Sequence, residues 1–523
     1  MIVRTILTGI FAAIALFYVL RHNMHMFQLN TYMIGEQVNW IKKNARQQWL
    51  LAWGALLGIV RLFWANVTVD VVIWLTLYLT FLEYRAIMRL NKKTPLVYTA
   101  RVKRMITTIM IITAAGVALG VWLGGLECLS GVFIILVAAQ IGLNMTACFI
   151  NKPMEKAVNN YYLNDAKRLL RSVPDMKIIG VTGSYGKTSM KYFLQTLLQA
   201  KFNVLVTPGN FNTPLGITRT VRGQLKPTHE IFICEMGARY VGEIKEDCDL
   251  AHPDWGVITS IGPQHLETFG GMENVQKTKF ELADALPDGG KLFLNGDNEY
   301  ITDYIAKKGE YPNTTYYHNH TDGEGYKATV IKLSQFGTEF DVVGPDGEKE
   351  SFRMKLVGEH NVINVVGAIS VACSLGMTLK ELKLPVRRLQ PVEHRMQLTD
   401  HGDHTIIDDA YNSNPVGSKA AVETLALFDG IKILITPGMV ELGAEEDEYN
   451  YKFGTYAAAC CDYILLVGKK HTEPIMAGAL SQGFPEKKCI AFDYIEEALA
   501  YAHGIKGEGH KYILLENDLP DNY

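Results

Sequence analysis

Apolar residues are distributed in two different ways along this chain. Up to about residue 150 they form long runs, near 2–20, 49–65, 67–83, 105–123 and 131–150. A helix crossing a bilayer needs roughly 20 mostly apolar residues, so the pattern predicts five membrane spans. The run at 2–20 has no small-residue cleavage site after it and reads as an uncleaved helix rather than a secretory signal. Arg61 and Asp70 lie near span ends, where a charged side chain can snorkel, although the two could also face each other across a hairpin.

Beyond residue 150 the period changes. Residues 151–176 read as a helical connector. From 177 to about 385, short apolar runs alternate with segments of helical period, as in a mostly parallel sheet. Lys177 to Val181 reads as a buried strand and Ser189 to Gln199 as the helix after it. A hairpin-rich insert is predicted to interrupt this sheet at about 325–356, with a turn at Gly344-Pro345-Asp346-Gly347. A second α/β unit begins near Arg395, with strands at 404–409, 431–436, 462–467, 487–491 and 512–515. The plan is therefore an α/β protein in four parts: a transmembrane helical region at 1–150, a linker at 151–176, a phosphate-loop central domain at 177–390, and a Rossmann-like C-terminal domain at 391–523.

Charge adds an orientation. The connector 21–48 carries Arg21, Lys42, Lys43 and Arg46, and the connector 84–104 carries Arg85, Arg89, Lys92, Lys93, Arg101, Lys103 and Arg104. The short connectors after the second and fourth runs have neither Lys nor Arg. By the positive-inside rule the N-terminus lies outside and residue 151 onward lies in the cytoplasm, which makes this a multi-pass cell-membrane protein. The net charge of −3 gives no basic field for nucleic acid. Eight scattered cysteines without a Cys-x-x-Cys pair argue against a zinc ribbon or a disulfide framework.

The strongest chemical signal is Gly183-Ser184-Tyr185-Gly186-Lys187-Thr188, followed by Ser189, between the predicted strand and helix. Glycines there let backbone N–H groups approach phosphate oxygens, the helix N-terminus and Lys187 add positive charge, and the Thr188 hydroxyl suits Mg²⁺. The position five residues before the Gly-Lys pair is Val181 rather than glycine, so the tighter Thr182-Gly183-x-x-Gly186-Lys187-Thr188 form applies. The loop predicts binding of ATP or a similar nucleotide. Glu235 ends the apolar strand Ile231 to Glu235 and could either ligate Mg²⁺ or cap a neighbouring helix. His265 follows Thr259-Ser260-Ile261-Gly262-Pro263-Gln264, and Lys279 lies in Lys277-Thr278-Lys279-Phe280-Glu281. Asn361 and Asn364 open a helix, where their amides could read an adenine edge or cap the helix. Asp408-Asp409-Ala410-Tyr411-Asn412-Ser413-Asn414-Pro415 crowds polar groups at a strand end.

In this order the clusters resemble the Mur ligases, ATP-dependent amide-bond-forming enzymes of peptidoglycan precursor synthesis. Thr207-Pro208-Gly209-Asn210-Phe211-Asn212-Thr213-Pro214-Leu215-Gly216, the Asp408 to Pro415 stretch and Met439-Val440-Glu441-Leu442-Gly443 are nearest in style to the members that add D-alanyl-D-alanine to a muramyl tripeptide. The resemblance covers roughly 177–523. It implies that Lys187 binds the β- and γ-phosphates within the 183–189 loop, that Thr188 and Glu235 hold one Mg²⁺, and that His265 binds a second. It further implies that Lys279 is the lysine that many members carbamylate, that Asn361 and Asn364 lie near adenine, and that Arg395 and Asp409 reach the nucleotide on domain closure. Asn210, Asn212 and Thr213 fall near the acceptor peptide. The implied reaction passes through an acyl phosphate that an incoming amine attacks.

Three departures qualify the resemblance. The family's UDP-binding domain is replaced by membrane helices. Gly438 stands where relatives usually carry aspartate, and Leu515-Glu516-Asn517-Asp518 stands where relatives usually show Lys-Gly-Ser. The acceptor is therefore either a small-molecule muramyl peptide or a lipid-linked precursor or poly-amino-acid chain at the membrane. A catalytically silent membrane scaffold is the alternative from another class.

Overall fold

The computed structural model describes residues 2–64, 66–89, 94–411, 413–468 and 471–518. Lys92, Lys93 and Asn412, named above, lie outside the described residues. The chain divides into two compact units, Met1–Asn160 and Tyr161–Leu519.

The first unit is helical: α1 (Ile2–Leu29), α2 (Ile34–Lys43), α3 (Trp49–Phe63), α4 (Val67–Arg89), α5 (Ala100–Gly124), α6 (Leu129–Ala138) and the start of α7 (Gln140–Arg171). Among the described residues, three stretches are long and apolar enough to cross a membrane by length and composition: Ile2–Leu29, Val67–Arg89 and Ala100–Ala138. Two of the five expected runs take other bounds in the structure. The run at 49–65 forms a helix of only 15 residues, and the run at 131–150 is shared between α6 and α7 across Ala139.

Small residues let these helices approach closely. A Cβ on Gly58 would come within 2.9 Å of the Gly131 carbonyl oxygen, and one on Gly131 within 2.8 Å of that of Gly58. Helices α1 and α4 run in the same direction: Arg4 meets Asp70, Trp74 meets Thr8, and His22 packs on Tyr84. The two Lys/Arg-rich connectors consequently lie at one end of the bundle, joined by His25 to the Thr94 carbonyl (2.6 Å) and by Gln28 to Val97 (3.0 Å). At the other end Arg61 donates to Asp70 at 2.6 Å, and Arg4 reaches the second oxygen of the same carboxylate at 3.2 Å. Arg61 and Asp70 are both buried, so pairing replaces the snorkelling reading.

The second unit contains two sheets. The first has the strand order β2-β3-β1-β4-β5-β6-β7-β8-β9. Its strands are β1 (Lys177–Thr182), β2 (Val204–Val206), β3 (Ile231–Glu235), β4 (Trp255–Ile258), β5 (Lys291–Asn295), β6 (Thr314–His318), β7 (Tyr326–Ser334), β8 (Gly337–Val343) and β9 (Lys349–Met354). Alternation along each strand feeds two cores. In β3, Ile231 and Ile233 join one apolar cluster while Phe232 and Cys234 join the other, and each such side chain contributes about 1.5–3 kcal/mol on burial. Helix α8 (Lys187–Leu198) covers one face, and α9 (Pro214–Gln224), α10 (Glu243–Ala251) and, after the short α11 (Leu266–Phe269), α12 (Met272–Asp284) cover the other. The predicted insert does not interrupt the sheet. Strand β7 pairs parallel to β6, and β8 and β9 extend the same sheet as antiparallel hairpins.

The second sheet has the order β10-β11-β15-β12-β13-β14 and is parallel except at its β10 edge. Its strands are β10 (Gln397–Asp400), β11 (His404–Asp409), β12 (Ile431–Thr436), β13 (Tyr463–Val467), β14 (Cys489–Phe492) and β15 (Lys511–Glu516). The five strands expected here match within two residues, and β10 is an addition. Its pattern is mostly exposed, which left no apolar signal to read.

Candidate active site

The C-terminal ends of β1 and β3 face the loops that carry chemistry, as expected for an open parallel sheet. Strand β1 runs into the 183–186 turn. Gly183 (φ 150°) and Gly186 (φ 79°) occupy conformations that favour glycine. A Cβ on Gly186 would meet the Asn364 amide oxygen at 2.9 Å. The turn is fastened to the strand beside it: Ser184 N donates to the Ser260 carbonyl (2.7 Å), and the Tyr185 hydroxyl donates to the Pro263 carbonyl.

Lys187 folds back over this turn and donates to the carbonyls of Gly183 (2.6 Å) and Ser184 (3.0 Å). Burial lowers its pKa to about 8, opposed by Glu235 and assisted by Arg395. One residue on, the Thr188 hydroxyl lies 3.2 Å from Glu235 Oε1. Asn212 Nδ2 donates to that same oxygen at 3.2 Å, and Lys191 Nζ holds Oε2 at 2.8 Å. The Thr188 hydroxyl and the Glu235 carboxylate form a hard-oxygen pair suited to Mg²⁺, which would complete its shell with phosphate oxygens and water.

Lys191 had no role in the sequence reading. It is fully buried and stands one helical turn beyond Lys187, a spacing that places both on one face of α8. That spacing was the available signal. Lys279 is also fully buried, and burial together with the charge of Lys187 holds its pKa well below the lysine range. Asp247 is buried close enough to influence Lys279, and burial raises its pKa to about 9.

His265 sits at the start of α11 in a left-handed conformation (φ 52°). Its Nδ1 contacts the carboxylate of Glu441, whose other oxygen accepts from Arg239. Burial lowers the His265 pKa, while Glu441 raises it. Arg239 and Glu441 were not singled out from the sequence.

The second sheet completes the site. A cavity of about 140 Å³ is lined by Tyr185, Ser189, Asn361, Asn364, Arg395 and Asp409, among others. Arg395 stacks on Tyr411 at 4.4 Å. Asp409 accepts from Met396 N at 3.2 Å, and burial raises its pKa to about 6. The Nδ2 groups of Asn361 and Asn364 donate to backbone carbonyls four residues back, both at 2.9 Å, on helix α14 (Glu359–Ser374, the second helix after α12). The Glu516 carboxylate, which also borders the cavity, accepts from Ser413 and Thr436, and burial pushes its pKa up to about 7.

The remaining expected residues have structural partners of their own. Asn210 lies beside Tyr411. Thr213 caps α9 by accepting from Gly216 N at 3.4 Å. Gly438 has φ 82°, and a Cβ there would lie 3.0 Å from the His471 carbonyl, so an aspartate on this backbone would be strained.

Residues 181–372 match the Mur ligase middle domain, and residues 394–515 match the Mur ligase, glutamate ligase domain. The UDP-N-acetylmuramoyl-tripeptide--D-alanyl-D-alanine ligase of Escherichia coli K12 is 31% identical over 318 residues, which are 60% of this chain and 69% of that protein. The enzyme of the same name from Bacillus subtilis 168 is 33% identical over 53% of this chain and 59% of its own length. Among solved structures, MurF from Acinetobacter baumannii aligns with a TM-score of 0.63 at 25% identity, covering 70% of this chain and 78% of its own. MurF from Thermotoga maritima in complex with ADP shares the fold, with a TM-score of 0.61 at 24% identity over 69% and 80% of the two chains. With the phosphate loop, the strand-end glutamate and the second sheet's contributions converging as described, the chain belongs to the Mur ligase family of ATP-dependent ligases.

Proposed function

We propose that the protein spends ATP to form an amide bond in peptidoglycan precursor synthesis, adding D-alanyl-D-alanine to a muramyl tripeptide. The observation that carries this reading is the convergence of Lys187, Thr188 and Glu235 from the first sheet with Arg395 and Asp409 from the second. Mg²⁺ and ATP supply a polarised γ-phosphoryl group. The chain's own residues do the rest. Lys187 exchanges its two carbonyl partners for phosphate oxygens, and the turn at 183–189 lends its N–H groups. Thr188 with Glu235 would hold one metal ion and His265 would ligate a second, and the buried Lys279 is the site for carbamylation. Asn361 and Asn364 flank the adenine; Arg395 and Asp409 close over the nucleotide; Asn210, Asn212 and Thr213 border the acceptor peptide. Exclusion of water by the second domain protects an acyl phosphate from hydrolysis.

In this reading the labour is divided among a central ATP-binding domain at 177–390, a C-terminal domain at 391–523, and 1–150 as a membrane region joined through the 151–176 linker. The three long apolar helices, with both basic connectors at one end of their bundle, support a multi-pass membrane protein whose catalytic domains face the cytoplasm. That same observation favours a second acceptor, a lipid-linked muramyl peptide presented at the bilayer.

The test is phosphate release and product formation by the purified full-length protein. UDP-linked or undecaprenyl-linked muramyl tripeptide is supplied as acceptor and D-Ala-D-Ala as amine. Amide product that disappears in Lys187→Ala is expected. Product from the lipid-linked acceptor alone selects the second reading, and the absence of phosphate release with either acceptor refutes both.

A further inference from the structure

The contact between Glu441 and His265 joins the two sheets' domains at a point where the proposed reaction needs a metal ligand. Glu441 lies on the loop after β12, and His265 begins α11 in the first domain. The loop is preorganised. The buried Asn450 accepts from Met439 N and donates to the Met439 carbonyl, both at 2.9 Å, and Asn517 donates to the Gly438 carbonyl at 2.6 Å. Glu441 itself adopts φ 66° and His265 φ 52°. Non-glycine residues in this region are strained and persist where their surroundings fix them, often at functional sites. The loop also meets α11 beyond the side chains, because a Cβ on Gly443 would lie 3.7 Å from Glu267 N.

A simple inter-domain ion pair accounts for only half of this. Arg239 takes one Glu441 oxygen, and that pair alone would tie the domains together. The other oxygen is spent on His265 Nδ1. An imidazole held through Nδ1 by a carboxylate has its tautomer and ring plane fixed and presents Nε2 as the ligating nitrogen, the arrangement that orients histidines at metal centres.

We propose that Glu441 is a positioning residue that aims His265 at the second metal ion, so that this metal site is complete only when the C-terminal domain has closed. The inference rests on the reading of His265 as a metal ligand given above. It makes closure and second-metal binding one event. A nucleotide bound in the open form would hold a single ion, at Thr188 and Glu235.

Mn²⁺ titrations followed by electron paramagnetic resonance test this on the full-length protein with a non-hydrolysable ATP analogue. The unsubstituted protein is expected to bind two ions. Glu441→Gln is expected to leave the tighter ion unchanged and weaken the second about 10- to 100-fold. Arg239→Met removes the inter-domain ion pair while leaving Glu441 on His265, and it is expected to keep the second ion within about threefold of its unsubstituted affinity, well inside that second-shell effect. Two ions with unchanged affinities in Glu441→Gln overturn the role of Glu441, as does an equal loss in Arg239→Met. A single ion in the unsubstituted protein refutes instead the metal reading of His265. Should Glu441→Gln fail to fold, amide exchange in the unsubstituted protein decides the matter. Protection of residues 438–443 is expected to rise with the same Mn²⁺ midpoint as the second ion, and separate midpoints overturn the proposal.

Discussion

Replacing Lys191 with methionine isolates one buried charge. Lys191 and Glu235 are both essentially inaccessible to solvent and bond at 2.8 Å. Lys191→Met keeps most of the side chain's length and apolar stem but leaves the Glu235 carboxylate with only the Thr188 hydroxyl and the Asn212 amide, each at 3.2 Å. Removing one partner of a buried pair costs about 3–5 kcal/mol, because the remaining charge is uncompensated. The unit that holds the pair, Tyr161–Leu519, has about 360 residues. At about 2.1 cal/mol/K per residue its unfolding entropy is about 0.75 kcal/mol/K, so the melting temperature should fall by about 4–7 °C. Scanning calorimetry of the full-length protein in detergent reads this directly. Two comparisons sharpen it. Lys191→Met combined with Glu235→Gln should recover most of the loss, since neither charge then remains. Mg²⁺ with ADP should raise the melting temperature of Lys191→Met more than that of the unsubstituted protein, because the ion restores a positive partner to Glu235. A fall of less than 1 °C, or a double variant no more stable than Lys191→Met, would refute the account of Glu235 as a buried anion held by Lys191.

Further expectations concern other parts of the molecule. The folded-state pKa of Glu516 is about 7 against an ordinary 4.5, so the unfolded chain loses that proton first. Stability therefore falls by about 3 kcal/mol as pH rises from about 4.5 to about 7, and the melting temperature of Glu516→Gln should overtake that of the unsubstituted protein across that window; parallel pH profiles would contradict this. Gly186→Ala places a Cβ 2.9 Å from the Asn364 amide at φ 79°; nucleotide affinity measured by calorimetry should drop at least tenfold, about 1.4 kcal/mol, consistent with strain of 1–3 kcal/mol. Asp70→Ala strands Arg61 and Arg4 in the helical unit; the monodisperse yield in detergent should collapse, whereas Arg61→Leu with Asp70→Leu should recover it in part.

Much of this architecture is written in short-range patterns. The phosphate loop is legible because its glycines, lysine and threonine must be contiguous, and Glu235 is legible because it terminates an apolar strand. The Arg239–Glu441–His265 contact is not, since its members are spread over some 200 residues and meet only after two sheets have formed. Lys191 was hidden for a different reason. A lysine in a helix reads as a solvated face, and its four-residue spacing from Lys187 is a faint signal against that until Glu235 is placed beside it. The 325–356 segment shows the limit of turn signals: Gly344-Pro345-Asp346-Gly347 marks a hairpin but not whether the hairpin joins the neighbouring sheet, which depends on the β6–β7 pairing at Tyr317 and His318. In the helical unit, Ala139 divides one apolar run between two helices and Trp64 ends another, boundaries that run lengths alone do not give.

The backbone carbonyls that hold Lys187 have a consequence for selectivity among anions. An incoming ion must replace two ready-made acceptors, those of Gly183 and Ser184, before it gains anything from the ammonium group. Chloride offers one diffuse charge and no directional pair of oxygens, so the exchange returns little. A polyphosphate offers several adjacent oxygens at once and can also take up the neighbouring N–H groups. The resting loop thereby discriminates against abundant monovalent ions without a gate, simply by keeping its cation already occupied.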